Sequence, residues 1–218
     1  MSALGLLFVG SVLFVNGLAL LGRIDPRSAA PINLFVGALL VVVVLSLALP
    51  ATKADMTPVF TAAGFLLFGF VYLYVGILNL TGHAVTGAGW YCAWAAGVAL
   101  VIALVSFVRD DDVKFGVLWL LWSLLFTMFF LVLGLGLARF TVVTGWITLV
   151  EAVITATIPG LLLVLGRWAD VPDLLVVAVA AAAVVLFLLI GARTARAEPG
   201  RVSRVVEEYR HEGATPGT

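Results

Sequence analysis

The sequence has few charged residues and a single cysteine, and each shortage excludes a class of protein. Charged side chains make up 11% of the chain and hydrophobic ones 63%, whereas a soluble domain carries roughly 25% charged residues. A water-soluble core could not bury so much apolar surface. The formal net charge of +0 offers no basic surface for a nucleic-acid partner, and one cysteine excludes an internal disulfide.

Motifs that serve nucleotide, metal or acyl-transfer chemistry are also missing. The chain contains no Walker loop, no dinucleotide fingerprint, no HExxH and no GxSxG. Cys92 lies alone in an apolar run, and the two histidines are His83 and His211. We therefore predict no metal site and no cofactor. An enzyme is not expected, because Glu151 has no histidine or second acid in the apolar runs with which to act.

Long apolar runs are what the sequence does contain. The mean hydropathy is +1.22, and a run of about 20 apolar residues crosses the hydrocarbon layer as a helix. The runs are continuous rather than alternating, which favours helices over a barrel. We predict an all-α, polytopic membrane helix bundle with seven spans: Ala3 to Leu21, Pro31 to Leu49, Pro58 to Leu80, Gly89 to Val108, Phe115 to Leu137, Thr144 to Leu165 and Leu174 to Ala192.

The chain divides into three parts by composition and charge. Residues 1–168 hold six spans as three helical hairpins, residues 169–192 hold an additional transmembrane helix, and residues 193–218 form a polar tail. With the N-terminus outside, eight Lys and Arg residues fall on the cytoplasmic side and four, Lys53 among them, fall outside. Because positive charge concentrates inside, we predict a multi-pass protein of the bacterial inner membrane with its N-terminus outside and its C-terminus cytoplasmic.

Glu151 is the one acidic residue that the sequence puts inside a predicted span, about two turns into the sixth. Holding an ionised carboxylate there costs roughly 2.5 to 3.5 kcal/mol, and acids at such depth mark a pathway or an internal partner. Thr148 and Thr155 lie on the same helical face, one turn to either side. We expect Glu151 to face the bundle interior, either on a pathway or as a structural group bonded to a neighbouring Ser, Thr or Asn.

The fifth span carries four aromatic residues spaced by four, three and four positions, which stacks their rings along one helical face. This aromatic ladder consists of Phe115, Trp119, Trp122 and Phe126. In the third span, Phe70 and Tyr74 form a further pair four positions apart. Rings at mid-membrane depth are not interfacial anchors. Taken alone, the ladder is typical either of packing against helices and lipid or of a pore wall.

Short motifs in a fixed order make the chain similar to a known family. They are Asn16-Gly17, the loop Arg23-Ile24-Asp25-Pro26-Arg27-Ser28, Asn33 with Phe35-Val36-Gly37, the run Leu66-Leu67-Phe68-Gly69-Phe70 with Tyr72-Leu73-Tyr74, Trp119 with Trp122, and Glu151 followed by Thr155 and Ile158-Pro159. Over about residues 1–168 the sequence resembles the urea/amide channel family, the AmiS/UreI group. The resemblance implies six-helix protomers in a hexameric ring, each with its own pore, and leaves the seventh span and the tail outside the shared pattern.

The resemblance also implies which side chains line the pore: Leu6, Leu13, Phe70, Tyr74, Trp119, Trp122 and Glu151. Phe115 and Phe126 stand at ladder positions that are tryptophan in the family's urea channel, which favours acetamide or a larger aliphatic amide over urea. Physical chemistry agrees, because flat neutral amides can pass between rings that exclude hydrated ions. A carboxyl in the wall replaces part of the hydration that the amide loses.

We therefore predict a passive channel for small neutral amides such as urea, acetamide and short aliphatic amides. One alternative is a proton-coupled amide transporter with Glu151 as the proton carrier. The other is a scaffold that recruits a cytoplasmic amidase or urease through the arginine-rich tail. The family's acid-activated urea channel has longer external loops with several histidines, whereas His83 and His211 are both predicted to be cytoplasmic. External acid is therefore not expected to gate this channel through histidine.

Overall fold

The computed structural model describes residues 3–49, 51–52 and 55–212, and it leaves out the side chains of Leu47 and of residues 196–212. In this part of the chain every regular element is a helix. Seven helical spans among the described residues are long and apolar enough to cross a membrane. The predicted all-α, seven-span fold is confirmed.

The helices follow one another with short links. The α-helices are α1 (Ala3–Leu20), α2 (Pro26–Ala48), α3 (Thr57–Thr81), α4 (Thr86–Val108), α5 (Val113–Phe129), α6 (Thr141–Glu151), α7 (Ile158–Val164) and α8 (Asp173–Glu212). A π-helical turn, Phe130–Gly134, continues α5. A 3-10 turn (Ala138–Phe140), α6, a π-helical segment (Ala152–Thr157) and α7 together form the sixth span.

The second span begins at Pro26 rather than at the predicted Pro31. The side chain of Asp25 accepts a hydrogen bond from the backbone N–H of Arg27 at 2.6 Å, which caps the first turn. Pro26 occupies that turn, where its missing N–H costs no intrahelical bond. Pro31 then lies inside the helix. The first proline after a capping aspartate, not the later one, marks where this helix begins.

The closest helix pairs are offset from the three predicted hairpins. α2 packs along α3, α4 packs along α5, and α1 packs along the sixth span. Glycine permits the closest approach: a Cβ at Gly10 of α1 would lie 2.9 Å from the backbone nitrogen of Thr157 and 3.1 Å from the carbonyl oxygen of Ala152. Glycine therefore lets α1 rest directly on the π-helical segment, which is how small residues act in membrane bundles.

The seventh span, α8, lies at the edge of this bundle against α5 and α6. Ala183 and Phe187 are its side chains in the main core, while most of the span is exposed. The helix runs on to Glu212, past the predicted end of the span at Ala192. Lys53 and residues 213–218 of the predicted tail lie outside the described residues.

Candidate functional site

An aromatic cluster of Phe68, Trp119, Trp122 and Phe126 lies in the core between α3 and α5. The ring centroids of Trp119 and Trp122 are 4.9 Å apart in an edge-on arrangement. Phe68 lies 6.0 Å from Trp119, 5.1 Å from Trp122 and 5.2 Å from Phe126. All four side chains are at most 4% exposed. The predicted ladder therefore contributes three buried rings to the cluster, and α3 supplies the fourth.

Trp122 is held in one orientation by a short chain of hydrogen bonds. Its indole N–H donates to the hydroxyl oxygen of Thr155 at 2.9 Å. That hydroxyl in turn donates to the backbone carbonyl of Glu151 at 2.6 Å. Thr155 lies in the π-helical segment that follows Glu151, and π-helical turns inside α-helices occur frequently at functional sites. The aromatic cluster is thus tied to the part of the sixth span that carries the acid.

Glu151 is fully buried, at 0% exposure, at the last position of α6. Neither of its carboxyl oxygens has a hydrogen-bond partner in the part of the chain that the structure describes. The hydroxyls of Thr148 and Thr155 bond to backbone carbonyls of their own helix instead. The expected face of polar residues is therefore buried around Glu151, but no structural hydrogen bond from a described Ser, Thr or Asn occupies the carboxyl.

Tyr72 of α3 supplies a second polar group at this site. Its hydroxyl is buried and also lacks a partner among the described residues. The hydroxyl is near enough to Glu151 for the two groups to interact electrostatically. The ring of Tyr72 lies 6.1 Å from that of Phe68. An unpaired buried polar group is costly, so two of them beside one aromatic cluster are typical of a site that a passing polar molecule contacts.

Phe70 and Tyr74, the predicted pore residues of the third span, are not part of this site. They are 48% and 36% exposed and point away from the aromatic cluster. Phe68 and Tyr72 face it instead, because a shift of two positions turns a side chain through roughly 200° around a helix. The sequence held a signal for the buried face of α3. Gly64, Phe68, Tyr72 and Gly76 recur every four residues, and all four are buried.

The other predicted pore residues lie along the interior with one exception. Leu6 and Leu13 of α1 are 1% and 2% exposed, in the same core as the aromatic cluster. Phe115 stands apart at the start of α5, where its ring lies 5.8 Å from that of Trp168. The neighbouring Lys114 ammonium donates to the carbonyl oxygens of Trp168 and Val171, each at 3.1 Å. Phe115 thus packs against the link to α8 rather than against Trp119.

A cavity of ≈ 280 Å³ reaches the site from one end of the bundle. Its walls come from the end of α1, the beginning of α2, the second half of α3, the beginning of α4 and the region where α5 leads into α6. This is the predicted cytoplasmic end. Phe68, Tyr72 and Phe126 are in its wall, and most of the remaining lining is apolar. Glu151 does not line the cavity.

No three histidine, cysteine, aspartate or glutamate side chains of the described residues come together in a group that could hold a metal ion. Cys92 is buried in the cavity wall. The chemistry on offer at the site is therefore hydrogen bonding and ring contact, from one carboxyl, one phenol and four aromatic side chains.

The chain is similar to several transport proteins. A sequence model described as the AmiS/UreI family transporter matches residues 1–167. A protein of Rhodococcus erythropolis named as the transporter AmiS2 is 47% identical over 172 residues, covering 79% of this chain and 83% of that protein. A protein of Mycolicibacterium smegmatis named as a transporter of amidate substrates is 43% identical over 197 residues, covering 89% and 92%.

A solved structure has the same fold. The structure of the Helicobacter pylori urea channel in its closed state superposes with a TM-score of 0.67 at 31% identity, covering 77% of this chain and 100% of that chain. These relatives are transporters and channels, so the protein is a multi-pass membrane transport protein and not an enzyme. The family model and the sequence identity to these relatives both extend over most of the chain. The protein therefore belongs to the AmiS/UreI transporter family.

Proposed function

We propose that the protein is a passive channel for small neutral amides. The observation that supports this most is the pairing of a fully buried, unpartnered carboxyl, Glu151, with an unpartnered phenol, Tyr72, beside a closed aromatic cluster. A primary amide carries N–H donors and a carbonyl acceptor. Its N–H groups would donate to Glu151, and its carbonyl would accept from Tyr72.

The aromatic cluster supports the selectivity of such a channel. Trp119 and Trp122 present large apolar ring surfaces, and a hydrogen bond fixes the orientation of Trp122, so a flat molecule could pass along them with its face in contact. A hydrated ion would have to shed its water with no compensating ligands, which is costly in an apolar wall. Few polar groups line the route, and that suits conduction, because tight binding would slow release of the solute.

The preferred substrate, on this proposal, is acetamide or a short aliphatic amide. Phe126 lies in the aromatic cluster and contributes a hydrocarbon ring with no N–H donor. Two of the three relatives named above are a transporter of amidate substrates and a urea channel, which supports amides in the broad sense as substrates of this protein. A slot with fewer donors favours the amide with the larger apolar part.

We further propose that the protein assembles as a homo-hexamer in the bacterial inner membrane, with its N-terminus outside and its C-terminus in the cytoplasm. The family resemblance supports the hexamer, and the distribution of Lys and Arg supports the orientation. Mass photometry of the detergent-solubilised protein measures the number of protomers. We expect the mass of six protomers. The mass of a monomer would contradict the proposed hexamer but would leave the channel proposal unaffected.

Proton-coupled transport is a second candidate, favoured by one observation. The sixth span is interrupted by a π-helical segment directly after Glu151, with Pro159 at the start of α7. Broken helices beside an acid are common in coupled carriers. The interruption would let Glu151 change its surroundings as it binds and releases a proton.

Uptake of radiolabelled acetamide into proteoliposomes separates the two candidates. A passive channel brings the internal concentration to the external one and no further, whether or not a proton gradient is imposed. Adding a protonophore leaves the rate unchanged. Accumulation above the external concentration that the protonophore abolishes would instead establish coupling and contradict the channel.

A further inference from the structure

Two buried asparagines form a closed pair between α1 and α2. The Asn16 side-chain nitrogen donates to the Asn33 side-chain oxygen at 3.0 Å, and the Asn33 nitrogen donates back to the Asn16 oxygen at 2.7 Å. Asn33 also donates to the carbonyl oxygen of Ala29 at 2.8 Å. Hydrogen bonding between two helices therefore accounts for part of what these residues do.

The two members of the pair are not equivalent. A carboxamide has two N–H donors and an oxygen with two lone pairs. Asn33 is 0% exposed, and both its N–H groups are used. Asn16 uses one N–H and one lone pair in the pair, so one N–H and one lone pair have no partner on the described residues.

Asn16 is also the member that lines the ≈ 280 Å³ cavity, in which Asn33 has no part. Its side chain is 9% exposed. Tyr72, whose hydroxyl is also free, lies in the wall of the same cavity, and Asn79 and Thr141 are the other polar side chains of that wall. Asn16 is therefore one of a few polar side chains in a mostly apolar cavity wall, and it has one donor and one acceptor that no described residue uses.

We propose that Asn16 is a substrate-contact residue of the cavity, and that Asn33 is a positioning residue which holds its carboxamide. The inference rests on the proposed amide-channel function. A permeating amide would donate its N–H to the free lone pair of Asn16 or accept the free N–H on its carbonyl, and each contact would be a single hydrogen bond because the two free groups of Asn16 point in different directions. Asn16 would be the amide's partner in the cavity, in the same wall as Tyr72.

Two isosteric variants separate this role from a structural one. Asn33→Asp removes the donors to the Asn16 oxygen and to Ala29, but it keeps the acceptor for the Asn16 N–H and leaves the free N–H of Asn16 in place. Asn16→Asp keeps the acceptor for Asn33 but removes both N–H groups of Asn16, the one donated to Asn33 and the one that would be offered to a substrate. A purely structural pair predicts that Asn33→Asp is the more damaging change, because Asn33 is more deeply buried and makes more bonds.

The measurement is stopped-flow acetamide flux into proteoliposomes, divided by the amount of folded protein determined from gel-filtration elution. We expect Asn16→Asp and Asn16→Leu to lower the flux by roughly 5- to 30-fold, the factor that corresponds to one or two lost hydrogen bonds. Asn33→Asp should lower the flux by less than either Asn16 variant does, because the free N–H of Asn16 is still present. Ser11→Ala, on α1 but outside the cavity wall, is the control and should not change the flux.

Either of two results overturns the assignment of Asn16. One is a flux in Asn33→Asp that is as low as in Asn16→Asp, which makes the pair a structural link only. The other is an unchanged flux in both Asn16 variants, which removes Asn16 from the pathway. If the original protein itself gives no acetamide flux above empty liposomes, the channel proposal fails, and that result is distinguishable from both.

Discussion

Glu151 owes its proposed role to its surroundings, which combine complete burial with two unpartnered oxygens. Glu151→Gln keeps the shape of the side chain but turns one acceptor oxygen into a donor. We expect acetamide flux per folded protein to fall by roughly 5- to 30-fold, because one or two hydrogen bonds of about 1 kcal/mol each are lost. Stopped-flow light scattering of proteoliposomes measures this flux.

Thr148→Val is the matched control for that change. Thr148 is as deeply buried as Glu151 and lies one turn away on the same helix, but its hydroxyl bonds only to the Thr144 carbonyl. Its flux should equal that of the original protein. If Glu151→Gln conducted acetamide at the original rate, contact between the carboxyl and the amide would have to be abandoned.

Trp122 and Thr155 join the aromatic cluster to the sixth span through one hydrogen bond. Trp122→Phe and Thr155→Val each remove one partner, and each should lower the free energy of unfolding by about 1 to 3 kcal/mol. Since both changes remove the same bond, the double variant should lose less than the sum. Denaturant titration in detergent micelles measures the four free energies, and strictly additive losses would argue against this bond.

Among the helices, α1 depends on its contact with the π-helical segment Ala152–Thr157. A side chain at Gly10 would collide with the backbone of Thr157, so Gly10→Ala should destabilise the protein by about 1 to 3 kcal/mol, as overpacking does. Gly97 lies inside α4 with open space around it, and Gly97→Ala should leave stability unchanged or raise it. Thermal unfolding in micelles compares the two, and equal melting temperatures would contradict the close approach.

The helices themselves were predictable from the sequence because apolar length alone determines a membrane span. All seven were found, and the acid and the tryptophans of the candidate site were identified by their depth and spacing. Which face of α3 meets α5 was not, since Phe68 with Tyr72 and Phe70 with Tyr74 share the same spacing. The π-helical segment was missed as well, because it accompanies the packing of α1 on the sixth span rather than any local signal.

For the whole molecule, the family match ends at residue 167, before α8 begins. A chain that stops after Pro172 keeps the carbonyl oxygens that Lys114 binds and loses only the seventh span and the tail. The removed segment holds none of the side chains of the candidate site. We therefore expect acetamide flux per folded protein to stay within about two-fold of the original protein, whereas the loss of one or two hydrogen bonds in the pathway would lower it by more. Loss of flux in a chain that still elutes as a folded protein would place α8 in the conducting unit.

Removing α8 should nevertheless weaken the bundle. Phe187 is 5% exposed and packs against the core. Burying such a side chain from water stabilises a protein by about 1.5 to 3 kcal/mol. The gain is smaller here, because the side chain would otherwise contact lipid rather than water. The melting temperature of the shortened chain in micelles should therefore fall. An unchanged melting temperature would mean that α8 adds no stability to the six-span unit.

Acid should not gate this protein as it does the acid-activated urea channel. The chain has two histidines, His83 in the link between α3 and α4 and His211 near the C-terminus, and His83 does not line the cavity of the candidate site. Histidine is the side chain whose charge ordinarily changes between about pH 5 and pH 8. Acetamide flux should be the same at both ends of that range, and a rise under acid that His83→Gln removes would contradict this.

The most direct test of the account compares solutes in one experiment. Proteoliposomes with the original protein, with Trp119→Ala and with no protein are exposed to gradients of acetamide, urea and glycerol in a stopped-flow instrument, without any ion gradient. The account predicts rapid acetamide and urea flux through the original protein, exclusion of glycerol, and loss of that discrimination in Trp119→Ala. Amide flux no faster than in empty liposomes would contradict the central claim that this protein is a passive amide channel.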